Sequence, residues 1–149
     1  GKGGGRGYRE FAEKLKEGIK VQIPHFSLNE LCHYVDVRDV ARMHITVGEH
    51  PRAVGEIFNC CAKEPTRGTE FASIIKKFYP KIEVECGFPW SMSQGNEISF
   101  SMEKAKRLLG FEPLFSLEDA VKSIKDWIDA GGLEQEMVSD LKYGEGVKL

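Results

Sequence analysis

The stretch at residues 34–45 constrains the fold most, because a short extended segment there runs directly into a well-started helix. Residues 32–35 have the pattern of a short strand. Asp36 then has the side chain of a good N-cap, and Asp39 adds negative charge to the first helical turn, where free backbone N–H groups favour it. The sequence therefore predicts a helix that begins near Val37.

The same helix carries a predicted apolar face. Its residues recur at the spacing of 3, 4 and 7 that marks one side of a helix, and a glycine and a proline supply the stop. We expect a sheet or a second helix to cover this face, which consists of Val37, Val40, Ala41 and His44 and ends at Gly48 and Pro51.

The composition bounds the function classes. At 149 residues, with 41% hydrophobic residues, 30% charged residues and a net charge of -2, the chain suits one globular domain and no polyanion-binding role. No apolar run approaches the roughly 20 residues that span a bilayer, and the N-terminus lacks a signal-peptide pattern. We therefore expect a cytoplasmic protein with neither nucleic acid nor membrane as a partner.

The cysteines and histidines do not predict a metal site. The four cysteines, at 32, 60, 61 and 86, show no C-x-x-C spacing, and the four histidines, at 25, 33, 44 and 50, form no i, i+4 pair. Reduced thiols that behave as small hydrophobic groups are the favoured interpretation.

Three regions are predicted along the chain. Residues 1–7 form a flexible glycine-rich leader, residues 8–132 form the folded unit and residues 133–149 form a tail. The leader matches G-x-x-G-x-x-G, but no strand precedes it to deliver the chain into a phosphate-binding turn. The match therefore predicts no cofactor loop.

The folded unit alternates strand and helix patterns, which predicts α/β architecture with a helical C-terminal lobe. Residues 55–61 are apolar on both faces, as in a strand inside a covered sheet. Pro65 and Thr66 are predicted to open a helix, and Ser116 with Asp119 resembles a capping box. The predicted helices are 8–18, 37–48, 68–79, 101–110 and 117–130, and the further strands are 19–23, 82–86 and 98–100.

Four blocks in this order resemble the second half of the extended short-chain dehydrogenases/reductases, the family of NAD-dependent epimerases and dehydratases and of dihydroflavonol and cinnamoyl-CoA reductases. The blocks are residues 34–45, 55–59, 104–113 and 116–120. The resemblance implies the C-terminal part of a Rossmann-like fold, with few strands and flanking helices.

The resemblance also implies what this chain lacks. In that family the N-terminal half carries the G-x-x-G-x-x-G loop for NAD or NADP and a catalytic Tyr-x-x-x-Lys pair, and no tyrosine here is followed by lysine at i+4. We expect a fragment that is inactive alone, binds no cofactor alone and has as partners a small-molecule substrate and the N-terminal half. A homodimer is compatible with the resemblance.

Departures from the family pattern bear on the substrate. Sugar-nucleotide members place a diphosphate-binding arginine where this chain has Cys32, His33 and Tyr34, and a second arginine near Ser91, where no basic residue occurs. Both branches, epimerase/dehydratase and carbonyl reductase, stay open. A non-catalytic α/β interaction module and a thiol enzyme that uses Cys32 beside His33 are the competing hypotheses.

Loops that the family uses around its substrate supply the predicted substrate-binding residues. Asn59 joins them because it follows a strand centre, where its amide would bond either a loop or the substrate. Arg38 and Asp39 are predicted to be structural, with Arg38 facing solvent. The predicted set is His25, Phe26, Cys32, His33, Asn59, Phe88 and Trp90. No catalytic residue and no metal ligand is predicted.

Overall fold

The computed structural model describes residues 6–23, 31–86 and 99–134. The described helices are α1 Arg6–Glu17, α2 Val37–Glu49, α3 Gly68–Phe78, α4 Glu103–Leu109 and α5 Leu117–Asp129. The described strands are β1 Val21–Ile23, β2 Leu31–Cys32, β3 Thr66–Arg67 and β4 Val84–Cys86, and short 3-10 turns lie at Pro51–Ala53 and Gly132–Glu134. None of these helices is long and apolar enough to cross a membrane.

Two small strand pairs join the helices. Strands β1 and β4 are parallel, with Val21 opposite Val84, and β2 is antiparallel to β3. The parallel pair with flanking helices confirms the predicted α/β class. The β2–β3 pair was not predicted: Thr66 is a strand residue and not part of the helix opening. Helix α3 begins at Gly68, as its predicted range has it, with its cap at Arg67.

The helices and strands enclose two clusters of buried side chains. The first lies between α1, α3, α5 and β1 and consists of Ala12, Leu15, Val21, Phe71, Ile75, Ile82, Val121, Ile128 and Leu133. The second lies beneath α2 and α4 and consists of Met43, Ala53, Ala105, Leu109 and Phe111. Each helix buries one apolar stripe, as surface helices of globular domains do.

Helix α2 begins as predicted but buries another face. The Asp36 side chain accepts from the Arg38 N–H, which confirms the predicted cap and start. The predicted apolar face is wrong, because Val37 is 53% exposed while Asp39 and Met43 are buried. Periodicity predicts that a helix has an apolar face, but not which face packs against a neighbour. In α2 the hydrogen-bonded Asp39 lies on the buried face instead.

Two further predictions differ from the structure. Helix α1 begins at Arg6, inside the predicted flexible leader 1–7, of which residues 1–5 lie outside the described ranges. Residues 55–61 form no strand, because no strand within the described ranges pairs with them. A strand exists only where a neighbour takes up its backbone hydrogen bonds.

Turn chemistry at two helix ends follows the predictions, whereas α4 begins at Glu103 with its cap at Met102 and not at the predicted Ser101. Ser116 and Asp119 exchange the reciprocal hydrogen bonds of a capping box at the start of α5. Gly110 ends α4 with φ 65°, a left-handed conformation that glycine adopts without the steric cost of a Cβ. These ends fix where α4 stops and where α5 begins, and residues 111–115 between them form one wall of the site described next.

Candidate functional site

The fully buried carboxylate of Asp39 connects two distant segments of the chain. The two Asp39 oxygens accept from the Leu114 N–H at 3.0 and 3.1 Å, and one of them accepts from the Phe115 N–H at 3.0 Å. The Arg42 Nη1 donates to the same carboxylate at 2.5 Å. Asp39 therefore ties the first turn of α2 to the loop that precedes α5, 75 residues later in the chain.

The local sequence explains why this carboxylate tolerates complete burial. Asp39 lies in the first turn of a helix, whose partial positive charge favours an anion, and Arg42 lies one turn on at i+3. Arg42 also donates to the Glu112 carbonyl at 3.2 Å. Charge pairing together with backbone donors satisfies the buried group, as buried charges require.

Arg38 is less solvent-facing than predicted. Its Nε and Nη2 each donate to one Asp36 oxygen at 2.8 Å, and its guanidinium lies 3.7 Å from the centre of the Phe115 ring. These hydrogen bonds lower the pKa of Asp36 and raise that of Arg38. The bidentate pair holds the guanidinium over the ring, and Arg38 lines the adjacent cavity.

The cavity lies between the start of α2, the start of α3 and the first turns of α5, and it has a volume of about 330 Å³. Its walls are largely apolar, and the Tyr34 and Phe71 rings meet edge to face with centres 5.5 Å apart. The aromatic lining residues are Phe11, Tyr34, Phe71 and Phe115, and the polar ones are Asp36, Arg38, Thr66, Ser116 and Ser123. Such a lining suits an apolar, ring-bearing small molecule oriented by a few polar groups.

His33, a predicted substrate-binding residue, lies outside this cavity lining. Its Nδ1 accepts from the Phe100 N–H at 2.9 Å, so in the neutral ring Nε2 carries the proton. Burial lowers the pKa of His33, against a smaller opposing effect of the Glu64 charge. Nε2 is buried without a hydrogen-bond partner among the described residues. In the neutral ring, the Nε2–H group is therefore a donor without an acceptor among the described residues.

Asn59 binds the same segment as His33. Its amide Nδ2 donates to the Ser101 carbonyl at 3.2 Å, next to the Phe100 N–H that His33 accepts from. Of the two predicted partners of the Asn59 amide, a loop and the substrate, this structure contains the loop. Asn59 and His33 thus lie on one stretch of backbone, residues 100–101, and not on the aromatic cavity.

The structure does not describe the side chains of the remaining predicted site residues. Cys32 lies in β2, where only its backbone is described. His25, Phe26, Phe88 and Trp90 lie outside the described residues. Their substrate-binding role stays a prediction.

The thiol-enzyme hypothesis concerns Cys32, whose side chain the structure does not describe, and it stays a prediction; the structure describes two other thiols. Burial raises the pKa of the Cys60 thiol and of the Cys61 thiol, which disfavours the nucleophilic thiolate. No group of three histidine, cysteine or acidic side chains that could hold a metal ion occurs among the residues described.

Sequence reasoning missed the cavity-lining residues. Tyr34 opens the motif that was recognised, but Phe115 and Ser116 were interpreted only as a turn and a helix cap. The available signal was the short spacing between the Gly-Phe-Glu-Pro turn and the cap at Ser116, which leaves Phe115 directly before α5. What the sequence could not supply was the Asp39 contact that places this turn beside α2.

Comparison with known proteins gives one consistent family. This chain is 31% identical to a dihydroflavonol 4-reductase of Gerbera hybrida over 111 residues, which cover 73% of this chain and 29% of the relative. It is 33% identical to cinnamoyl-CoA reductase 1 of Petunia hybrida over 102 residues, which cover 66% of this chain and 30% of the relative. No family model matches.

A solved structure shows the same fold. The UDP-glucuronic acid 4-epimerase of Bacillus cereus, solved in complex with NAD, superposes with a TM-score of 0.66 at 19% identity over 83% of this chain and 39% of that one. The chain thus spans about a third of the length of the curated relatives it matches. In sequence and fold, this chain belongs to the extended short-chain dehydrogenases/reductases.

Proposed function

We propose that this chain is the substrate-binding portion of an NAD(P)-dependent carbonyl reductase or epimerase/dehydratase whose cofactor loop and catalytic pair lie elsewhere in a longer protein. The observation that carries the proposal is the cavity wall built by the family motif itself. Residues 34–38 line the cavity, and Asp39 holds Leu114 and Phe115 in place opposite them. The motif therefore shapes a space for a small molecule.

The lining favours the reductase alternative. Four aromatic rings surround the cavity, and the only arginine among its described lining residues is engaged by Asp36 in a bidentate pair. A diphosphate would need charge-assisted donors of its own, each contributing on the order of 1.5–3 kcal/mol. We infer a small carbonyl substrate with an apolar ring, in keeping with the dihydroflavonol and cinnamoyl-CoA reductases among the relatives. A sugar nucleotide is the second candidate.

The cofactor would be NAD or NADP, held by the other part of the protein. This chain has no Tyr-x-x-x-Lys pair to exchange a proton with the substrate oxygen. Its own residues would bind and orient the substrate and exclude water. Asp39 would act here as a positioning residue, since it contacts the wall and not the cavity.

The test uses the longer protein in two assays: reduction of cinnamaldehyde, followed by the oxidation of NADPH, and epimerisation of UDP-glucose with NAD, which consumes no reduced cofactor and is followed by separation of the two sugar nucleotides. Ala120→Leu fills part of the cavity, and Lys122→Leu on the exposed side of the same helix is the matched control. The first variant should raise KM for the aldehyde by about tenfold or more, the usual effect of a misplaced methylene, with KM for NADPH unchanged.

Other outcomes select other functions. An unchanged KM in the Ala120→Leu variant would place the substrate outside the cavity. Turnover of UDP-glucose without reduction of cinnamaldehyde would favour the epimerase alternative. A longer protein that neither binds NADPH nor turns over either compound would leave the non-catalytic interaction module.

A further inference from the structure

The His33 ring connects two segments that are far apart in the sequence. Its Nδ1 accepts from the Phe100 N–H at 2.9 Å, and the two rings lie with their centres 6.1 Å apart. His33 follows β2 directly, and the next residue, Tyr34, lines the aromatic cavity. The contact therefore joins the chain beside the cavity wall to residues 99–101.

Residues 59–61 bind the same stretch. The Cys61 Sγ donates to the Phe100 carbonyl at 3.6 Å, and the Asn59 Nδ2 donates to the Ser101 carbonyl at 3.2 Å. The Cys61 N–H donates to the Met102 Sδ at 3.4 Å. Of these contacts and the one from His33, only the His33 contact depends on a group that gains a proton near neutral pH.

Protonation of the ring is incompatible with this contact. In the neutral imidazole one nitrogen donates and the other accepts, whereas both nitrogens are donors in the charged ring. The Phe100 N–H occupies the accepting side, at Nδ1. A proton on Nδ1 would therefore face a second donor, and the hydrogen bond would be lost.

The groups around the ring determine how readily it gains that proton. Burial lowers the pKa of His33, and the charge of Glu64, on the segment that leads into β3, raises this pKa by less. Arg67 is a charged residue of β3, where it pairs with Leu31 of β2. The Cys61 thiol stays protonated because burial raises its pKa, and residues 99–101 have no titratable side chain. The uncharged ring is therefore favoured at neutral pH.

We propose that His33 is an acid-sensitive latch: its uncharged ring holds residues 99–101 beside the start of the cavity wall, and protonation releases them and weakens substrate binding. The release occurs below the ordinary histidine pKa of about 6.5, because burial lowers the pKa of this ring. The latch itself is a property of this chain. Its effect on substrate binding rests on the proposed function, through the adjacent Tyr34 in the cavity lining.

Hydrogen exchange of the Phe100 amide tests the latch directly. Its rate is measured by NMR in the 149-residue chain at about pH 7.5 and about pH 5, and is divided by the intrinsic rate of an unprotected amide at each pH. We expect protection of Phe100 to fall by about tenfold at the lower pH, the effect of losing one hydrogen bond. Protection of the Ala62 amide, which donates to the Tyr34 carbonyl at 2.8 Å, should stay the same. Equal protection of Phe100 at both pH values would overturn the proposal.

Three variants separate the latch from a general effect of acid. His33→Asn keeps an acceptor oxygen that gains no proton in this pH range, so the Phe100 amide should stay protected at both pH values. His33→Leu removes the acceptor, and protection should be low at both. His50→Asn is the matched control, because the His50 Nδ1 also accepts a backbone N–H, that of Arg52 at 3.2 Å, but at an exposed site. It should behave as the unmodified chain does. A His33→Asn variant that loses protection in acid as the unmodified chain does would contradict the latch.

Kinetics of the longer protein test the effect on substrate binding. Between about pH 7.5 and about pH 5, the KM for cinnamaldehyde should rise by about threefold or more in the unmodified protein and stay constant in the His33→Asn variant, because a displaced wall misplaces the substrate. The KM for NADPH should have the same pH dependence in both. If both proteins share one KM profile for the aldehyde, the link to substrate binding is wrong. If neither reduces the aldehyde, the proposed function fails, and the Phe100 exchange in this chain still decides the latch.

Discussion

Replacing Asp39 with alanine should destabilise the protein by about 3–5 kcal/mol, the range seen when one partner of a buried charged pair is removed. The carboxylate is 0% exposed and accepts from the backbone N–H groups of Leu114 and Phe115 and from Arg42. Without it, two backbone donors lose their only described acceptor, and each unsatisfied donor costs about 1–3 kcal/mol. Asp39→Asn keeps one acceptor oxygen and should cost roughly half as much.

The assay is urea unfolding followed by far-ultraviolet circular dichroism, with Asp126→Ala as the matched control. Asp126 makes an i, i+4 ion pair with Lys122 on the exposed side of α5, where such pairs contribute little. The Asp39→Ala variant should show a far lower midpoint than the control. If the two variants unfold within about 1 kcal/mol of each other, the buried carboxylate does not hold the 111–115 loop and the reasoning fails.

Three further effects follow from the same structure. Ser116→Ala removes the cap hydroxyl that accepts from the Asp119 N–H and should lower the unfolding free energy by about 1 kcal/mol in the same urea titration. Gly110→Ala places a Cβ at φ 65° and should cost about 1–2 kcal/mol, with a matched Gly48→Ala change in α2 neutral or stabilising. The lowered pKa of His33 means that the folded state binds the proton less readily than the unfolded state, whose pKa is about 6.5. Stability from this group is therefore complete above that value and declines as the pH falls through the folded pKa, and a His33→Gln variant should show a shallower acid dependence of the urea midpoint.

The parts of the fold that depend on local chemistry could be predicted from the sequence. The cap at Asp36, the capping box at Ser116 and the left-handed Gly110 each depend on residues within one turn, so short sequence windows contain the information. The strand at 84–86 could also be predicted, because the alternation of its apolar and polar residues is visible in a short stretch of sequence.

The parts that depend on distant neighbours could not be predicted. Asp39 was expected to serve its own helix turn, but its main partners are backbone groups more than seventy residues away. Residues 55–61 have the composition of a covered strand, yet whether they form one depends on a partner strand that local composition does not encode. The exposed Val37 illustrates the same point for a helix, because periodicity does not predict which face of the helix another element covers.

The candidate site divides in the same way. His33 and Asn59 were both predicted to bind substrate, and the structure places the side chains of both against residues 100–101. The aromatic cavity was not predicted, since its walls come from α1, the start of α2, α3 and α5, which meet only in the folded chain. Single-sequence reasoning found the motif that builds the cavity but not the space beside it.

The most direct test of the central claim is a calorimetric titration of NADPH and NADH into the purified 149-residue chain and into the longer protein. We expect no measurable heat of binding for the chain alone and micromolar affinity for the longer protein, because in the proposed function the cofactor loop lies outside this chain. Micromolar binding of either cofactor by the 149-residue chain itself would contradict the claim that it contributes only the substrate-binding side.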